Sequence, residues 1–206
     1  MNNEINTIIF DLGGVLVDWK PEYLYRKVFN NDEEKVQWFL KNVCTSAWNI
    51  EQDGGRTIEE AVRLKIAEFP EYEESIRLFY NEWPSMFSGP ILENVALLKK
   101  FKASKKYNVY ALTNWSAEKW DKALELFPFF NDFDGVVVSG QEKTRKPFPK
   151  IYNILLNRFN VIPEKAVFID DNYDNTIAAK KLGIQGIHYI SHIDLMKKLD
   201  LIQIKI

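Results

Sequence analysis

Three apolar runs in this sequence end in side chains that can do chemistry, and a fourth is followed by a loop that carries one. Ile8–Phe10 leads into Asp11, Val109–Leu112 into Thr113 and Asn114, and Ala166–Ile169 into Asp170 and Asp171. Lys146 stands seven residues beyond Ser139, in the loop after Gly135–Val138. A carboxylate can attack phosphorus to form an aspartyl-phosphate, which divides one difficult displacement into two easier ones. The attack sets an anion against an anion, so a divalent cation must offset the repulsion, and clustered carboxylates bind Mg²⁺. Thr113 and the backbone amides near it can hold phosphoryl oxygens, while Lys146 can neutralise charge. Singly these residues are ordinary. A strand-end Asp often caps a helix, an Asp-Asp pair usually sits in a solvated turn, and Lys-Pro steps are common in loops. Their occurrence after successive strands makes them a candidate set.

What must position them is a sheet. The runs Ile5–Phe10, Val109–Leu112, Gly135–Val138, Ala166–Ile169 and Gly186–Ile190 are short and continuously apolar, as strands buried on both faces are. Helical segments at Ser116–Leu126, Pro149–Phe159 and Thr176–Leu182 separate the later ones. Alternating strands and helices imply an α/β fold, a doubly wound parallel Rossmann-like sheet. In such sheets ligands bind at the carboxyl ends of the strands, where the strand order reverses.

The first interval breaks this rhythm. About 95 residues separate the first two strands, where one βα unit needs roughly 30. The excess carries no strong strand signal and predicts amphipathic helices at Pro21–Phe29, Asp32–Val43, Thr57–Glu68 and Glu71–Glu82, with Thr57 to Glu60 as a capping box. The expected organisation is a core of residues 1–18 and 89–206 with a helical cap at 19–88. The cap segment is rich in aromatic residues, among them Trp19, Trp38, Trp48, Tyr80, Trp83 and Phe87. They can line a lid over a substrate, but the simpler expectation is a small bundle filling its core with large side chains.

Composition excludes several classes. With 27 basic and 29 acidic residues the net charge is −2, which offers no general attraction to nucleic acid or membrane. The single cysteine, Cys44, cannot form an internal disulfide and fits a reducing cytoplasm. No basic n-region with an apolar run opens the chain, and no stretch approaches the roughly 18 apolar residues of a membrane span. The expectation is a cytoplasmic protein whose oligomeric state, monomer or weak dimer, the sequence leaves open.

The chain resembles the haloacid dehalogenase-like hydrolases, which are mostly phosphatases. FDLGGVLVD at 10–18, ALTNWS at 111–116, RKPFPKIY at 145–152 and VFIDDNYDN at 167–175 running on to AAKKLG are similar to that family's four motifs. The inserted segment resembles the helical cap of the branch that includes the epoxide hydrolase N-terminal domain and a bacterial glucose-1-phosphate phosphatase. The resemblance implies Asp11 as nucleophile and Thr113, Asn114 and Lys146 around the phosphate. It implies Mg²⁺ on Asp11, the backbone carbonyl of Gly13 and Asp171, with Asp170 as a helper and Asn175 in an outer-shell role. In the loop before and after Lys146, relatives often carry glycine where Lys143 stands and an acid where Phe148 stands.

Gly13 is the chief departure. Most phosphatases of the family carry an Asp there that protonates the leaving oxygen and then deprotonates water, help worth about 10²–10⁴-fold in rate. Its loss matters least for good leaving groups, such as an anomeric sugar oxygen or an aryl oxygen. Asp18, or a cap residue such as Asp53, is a candidate replacement, although Asp18 reads more simply as a hinge residue. Three functions compete: an Mg²⁺-dependent phosphatase of a small metabolite, such as a sugar 1-phosphate; a non-catalytic phosphate- or metal-binding regulatory module; and a dehalogenase, disfavoured because Asp170 and Asp171 would repel an anionic substrate.

Overall fold

The computed structural model describes residues 4–205; the first three residues of the N-terminal stretch and the last residue of the apolar C-terminal tail lie outside it. Strands β1 (Thr7–Phe10), β4 (Asn108–Thr113), β5 (Gly135–Val138), β6 (Ala166–Asp170) and β7 (Gln185–His188) form a parallel sheet in the order β5-β4-β1-β6-β7. The chain leaves β1 for β4 on one side, and β6 on β1's other side leads away to β7, so the order reverses between β1 and β6. Asp11 follows one of these strands and Asp170 ends the other, which puts both at the crevice where ligands enter such sheets.

Alternation along the strands explains the two cores. Ile8, Phe10, Val109, Ala111, Val167 and Ile169 face one side of the sheet, while Ile9, Tyr110, Leu112 and Phe168 face the other. All of them are buried, as expected of a sheet covered on both faces. The covering helices are α6 (Leu92–Ser104), α7 (Ala117–Leu126), α9 (Pro149–Arg158), α10 (Tyr173–Lys181) and α11 (His192–Leu201), with the single turn α8 (Ser139–Glu142) after β5. The first strand begins two residues later than its apolar run suggests, and the last ends two residues earlier, at His188. Helix α10 starts three residues earlier than Thr176, because Asn172 caps it by accepting from the Asp174 N–H at 2.9 Å.

Between β1 and α6 lie five helices: α1 (Glu22–Val28), α2 (Glu33–Asn42), α3 (Ser46–Asp53), α4 (Ile58–Glu68) and α5 (Glu73–Asn81). Thr57 caps α4 through the Glu60 N–H at 3.2 Å, as its sequence suggests. Two features depart from the expected pattern. Helix α3 is an additional element, capped by Thr45 through the Trp48 N–H at 3.0 Å and stopped at Gly54. The strands β2 (Val17–Trp19) and β3 (Phe87–Pro90) also pair antiparallel, joining the chain's way into the helical segment to its way out. At three and four residues they are too short to show a periodicity.

The aromatic residues of this segment divide. Tyr25, Phe39 and Phe79 are fully buried, and Tyr25 lies 4.7 Å from Phe39 between ring centroids. These fill the helical core, each worth about 1.5–3 kcal/mol by burial. Trp83 and Phe87 instead meet Trp115 of the sheet layer at 5.4 and 5.9 Å, making the helical core continuous with one face of the sheet.

Candidate active site

The site is built from four strand-end loops. Asp11 continues β1's ladder through its N–H to the Ile169 carbonyl at 2.8 Å. Its Oδ1 accepts from the Leu12 N–H at 2.7 Å and pairs with Lys146 Nζ at 2.9 Å, which leaves Oδ2 for chemistry. Lys146 is fully buried, and its Nζ also meets Asp170 Oδ2 at 2.7 Å and the Leu112 carbonyl at 2.9 Å. An ammonium in so dry a place is tolerable only because its protons have acceptors. Burial works against its charge, but Asp11 and Asp170 outweigh that and hold the ammonium more firmly protonated than usual.

Asp170 is equally committed. Its Oδ1 accepts from the Asn172 N–H at 2.7 Å, and the Asn175 amide donates to both of its oxygens at 3.0 and 3.1 Å. Asn175 therefore braces Asp170, and Asp170 braces the lysine. Asn114 does similar work on the other flank. Its Oδ1 accepts from the Lys146 N–H at 2.8 Å and its Nδ2 donates to the Lys146 carbonyl at 3.1 Å, so its side chain clamps the loop that carries the lysine. The peptide bond from Lys146 to Pro147 is cis. Lys143, where relatives often have glycine, adopts a left-handed conformation with φ of 51°, a backbone conformation glycine enters without strain.

Asp171 is exposed and stands beside Gly14. A Cβ on Gly14 would lie 2.1 Å from Asp171 Oδ2, and Gly14 has φ of +70°, so the position requires glycine twice over. Carboxylate oxygens of Asp11, Asp170 and Asp171 all lie within 4.8 Å of one another. Burial raises Asp11 well above the ordinary carboxylate range, and Asp170 and Asp171 add to the rise against the pull of Lys146. Burial and Asp170 raise Asp171 likewise. Three acids against one lysine leave an excess of negative charge that a hard dication would relieve. The donors are all oxygens, as Mg²⁺ prefers. Asp171 has oxygens to give, whereas those of Asp170 are already engaged.

Thr113 ends β4 fully buried, and its Oγ1 has no hydrogen-bond partner. An unpaired buried hydroxyl is costly, and here it belongs to the set of strand-end residues expected to hold phosphate. The neighbouring cavity, about 80 Å³, is lined by Gly13, Trp19, Asn49, Asp53, Tyr80, Trp83, Phe87, Asn114 and Trp115 among others. The structure thus brings Asp11, Lys146, Asp170, Asp171 and Asn175 into one cluster, with Asn114 on its edge. It sets Asp18 apart: that carboxylate accepts from Tyr23 and Ser88 hydroxyls, both at 2.6 Å, in the β2–β3 pair. Cys44 is inert, its thiol pushed up to about 12 by burial.

The haloacid dehalogenase-like hydrolase model matches residues 5–183. The chain belongs to this family. It is 28% identical over 193 residues to the phosphorylated carbohydrates phosphatase of Thermotoga maritima, covering 91% of this chain and 86% of that protein. It is 23% identical over 188 residues to the D-ribitol-5-phosphate phosphatase of Bacteroides thetaiotaomicron, covering 88% and 90%. Among solved structures, a haloacid dehalogenase family enzyme from Bacteroides thetaiotaomicron, in complex with magnesium and inorganic phosphate, superposes with a TM-score of 0.69 at 27% identity, over 91% of this chain and 96% of that one. This hydrolase therefore shares its fold and much of its sequence pattern with phosphatases. The L-2-haloacid dehalogenase of Xanthobacter autotrophicus, at 15% identity and a TM-score of 0.65, shares the fold alone. Among the described residues no helix is long and apolar enough to cross a membrane.

Proposed function

We propose that this hydrolase is an Mg²⁺-dependent phosphatase of a small phosphorylated sugar or polyol, working through an aspartyl-phosphate on Asp11. The observation that carries the reading is the cluster at the reversal of strand order: Asp11 with one free oxygen, Asp170 and Asp171 within 4.8 Å, and a buried Lys146 bonded to two of the three. The names of the Thermotoga and Bacteroides relatives support a phosphorylated carbohydrate or polyol as the substrate class.

In this reading Asp11, the Gly13 carbonyl and Asp171 would hold Mg²⁺, with Asp170 and Asn175 bracing the site. When bound, the ion supplies charge neutralisation between the attacking carboxylate and the phosphoryl oxygens. Asp11 Oδ2 attacks phosphorus while Lys146 holds Oδ1, which keeps the carboxylate oriented. Thr113 Oγ1 donates to a phosphoryl oxygen and thereby acquires the partner it lacks. Aromatic rings at Trp19, Trp83 and Phe87, interleaved with Asn49 and Tyr80, give the cavity the mixed apolar and polar lining that suits a hydroxylated substrate. The fold acts in the cytoplasm, on a free metabolite.

Two measurements test this. The purified protein should release phosphate from sugar and polyol phosphates with Mg²⁺ and not with a chelator present. Asp11→Asn should lower turnover by about 10⁴-fold or more while the protein stays folded, since one buried negative charge is removed beside two others. Undiminished hydrolysis by that variant would remove Asp11 as the nucleophile. Mg²⁺ binding with no release from any ester would leave a recognition module.

A further inference from the structure

The phosphatase reading leaves one role unfilled, because residue 13 has no side chain to protonate the leaving oxygen. The space for one exists. A Cβ on Gly13 meets nothing within 4 Å, and Gly13 is absent from the residues with positive φ. Gly13 lines the cavity described above, and so does Asp53, the last residue of α3. Helix α3 is fixed at both ends by the Thr45 cap and the stop at Gly54, and Trp48 and Gln52 are buried on its inner side. Its carboxyl end is tied to the site loop, where Arg145 meets Glu51 at 3.6 Å. Asp53 is thus a partly buried carboxyl, carried by the helical segment on a rigid helix and facing the same space as the missing side chain.

Resting on the phosphatase reading, we infer that Asp53 is the general acid and base of this enzyme, doing from the cap the work of the carboxyl that residue 13 lacks. In the first step Asp11 Oδ2 bonds to phosphorus, the bond from phosphorus to the ester oxygen breaks, and protonated Asp53 gives its proton to that oxygen, which departs as the alcohol. In the second step ionised Asp53 takes a proton from water as the water oxygen bonds to phosphorus. The acyl-phosphate bond breaks, and Asp11 carboxylate and inorganic phosphate are released. Asp53 ends protonated, as it began.

The surroundings suit both states. Burial raises the Asp53 carboxyl to about 7, against the pull of Arg145, Lys146 and the Ser116 backbone N–H, so both forms are populated near neutral pH. Arg145 and Lys146 face it from the loop after β5, Lys119 and Ser116 border the cavity from α7 and its start, and Tyr80 borders it from α5. Asp18 is unsuited to the role. Burial tends to raise its carboxyl, but hydrogen bonds from Ser88 and Tyr23 and the charge of Lys20 bring it below the ordinary value, and it does not line the cavity.

The test is kcat/KM of Asp53→Asn on two esters, because that quantity reports the step in which the ester bond breaks. For an alkyl phosphate such as glycerol phosphate it should fall by about 10²–10⁴-fold. For p-nitrophenyl phosphate, whose leaving group needs no proton, it should fall less than about threefold, which also shows that the variant is folded. The alkaline limb of the alkyl-ester pH profile should disappear with the same change. Adding Gly13→Asp to Asp53→Asn should recover activity on the alkyl ester. Equal losses on both esters, or no loss on either, would overturn the inference while leaving the phosphatase reading intact. Absence of hydrolysis by the unaltered protein would overturn both.

Discussion

On the sheet side of the cavity the charged and amide groups are bonded at close range: Lys146 has three acceptors, Asp170 four contacts, and Asn114 two bonds to the backbone of the lysine loop. On the helical side the wall is rings and one partly buried acid, Asp53, with few fixed polar bonds into the space. In the proposed phosphatase the sheet side would meet the phosphoryl group, which is the same in every ester, so its binding groups can be set once, on buried strands. The helical side would meet the part of a substrate that varies, and shape with a few polar tips is enough to choose among substrates. That function would set reaction chemistry and substrate choice on different layers of the fold.

This contrast is sharpest at Lys146. Lys146→Met would leave Asp11 and Asp170 buried without their shared cation, costing about 3–5 kcal/mol. For a protein of this size the midpoint of thermal unfolding should fall by roughly 6–20 °C, and turnover should vanish. Calorimetry on the variant would decide it. A stable variant would show that the sheet side is not held together by its charges.

A smaller effect is expected at the proposed metal site. Gly14→Ala would press a methyl group against the Asp171 carboxylate at a backbone angle that favours glycine. Local strain of about 1–2 kcal/mol should accompany an Mg²⁺ requirement raised about 10–100-fold, read by titrating activity against Mg²⁺. An unchanged requirement would remove Asp171 as a ligand.

The smallest effect belongs to the strand pair joining the two layers. The folded-state pKa of Asp18 is lowered, so its contribution is present above the ordinary value of 3.8 and is lost as pH falls through the folded value. Asp18→Asn should cost about 1 kcal/mol or less, given its exposure. Melts across pH 3–7 should show the gap between variant and parent closing below about pH 4. A gap that persists in acid would mean that the Asp18 charge is not what holds the pair.

The sequence disclosed the sheet side more readily than the helical side, for a physical reason. Buried parallel strands are continuous apolar runs, and the residues that end them are visible because polarity begins abruptly. Helix α3 was less visible. Its Thr45 cap and Gly54–Gly55 stop are signals of the right kind, but eight residues hold barely two turns, too few for an apolar stripe to stand out. Pairing of β2 with β3 left even less trace. Asn114 is expected at the phosphate, yet its side chain holds the lysine loop, and Asn175, expected in an outer shell, holds Asp170.

By itself the sequence determined the α/β class and the family motifs and marked Asp11, Thr113, Lys146 and Asp171 as candidates, since these follow from local pattern and order along the chain. Only the tertiary structure decided that Asp170 is spent on Lys146, that Gly14 makes room for Asp171, and that Asp53 shares a cavity with Gly13. Those relations join residues 24 to 157 positions apart. No local pattern encodes such distances, because they arise when separate strands and helices pack.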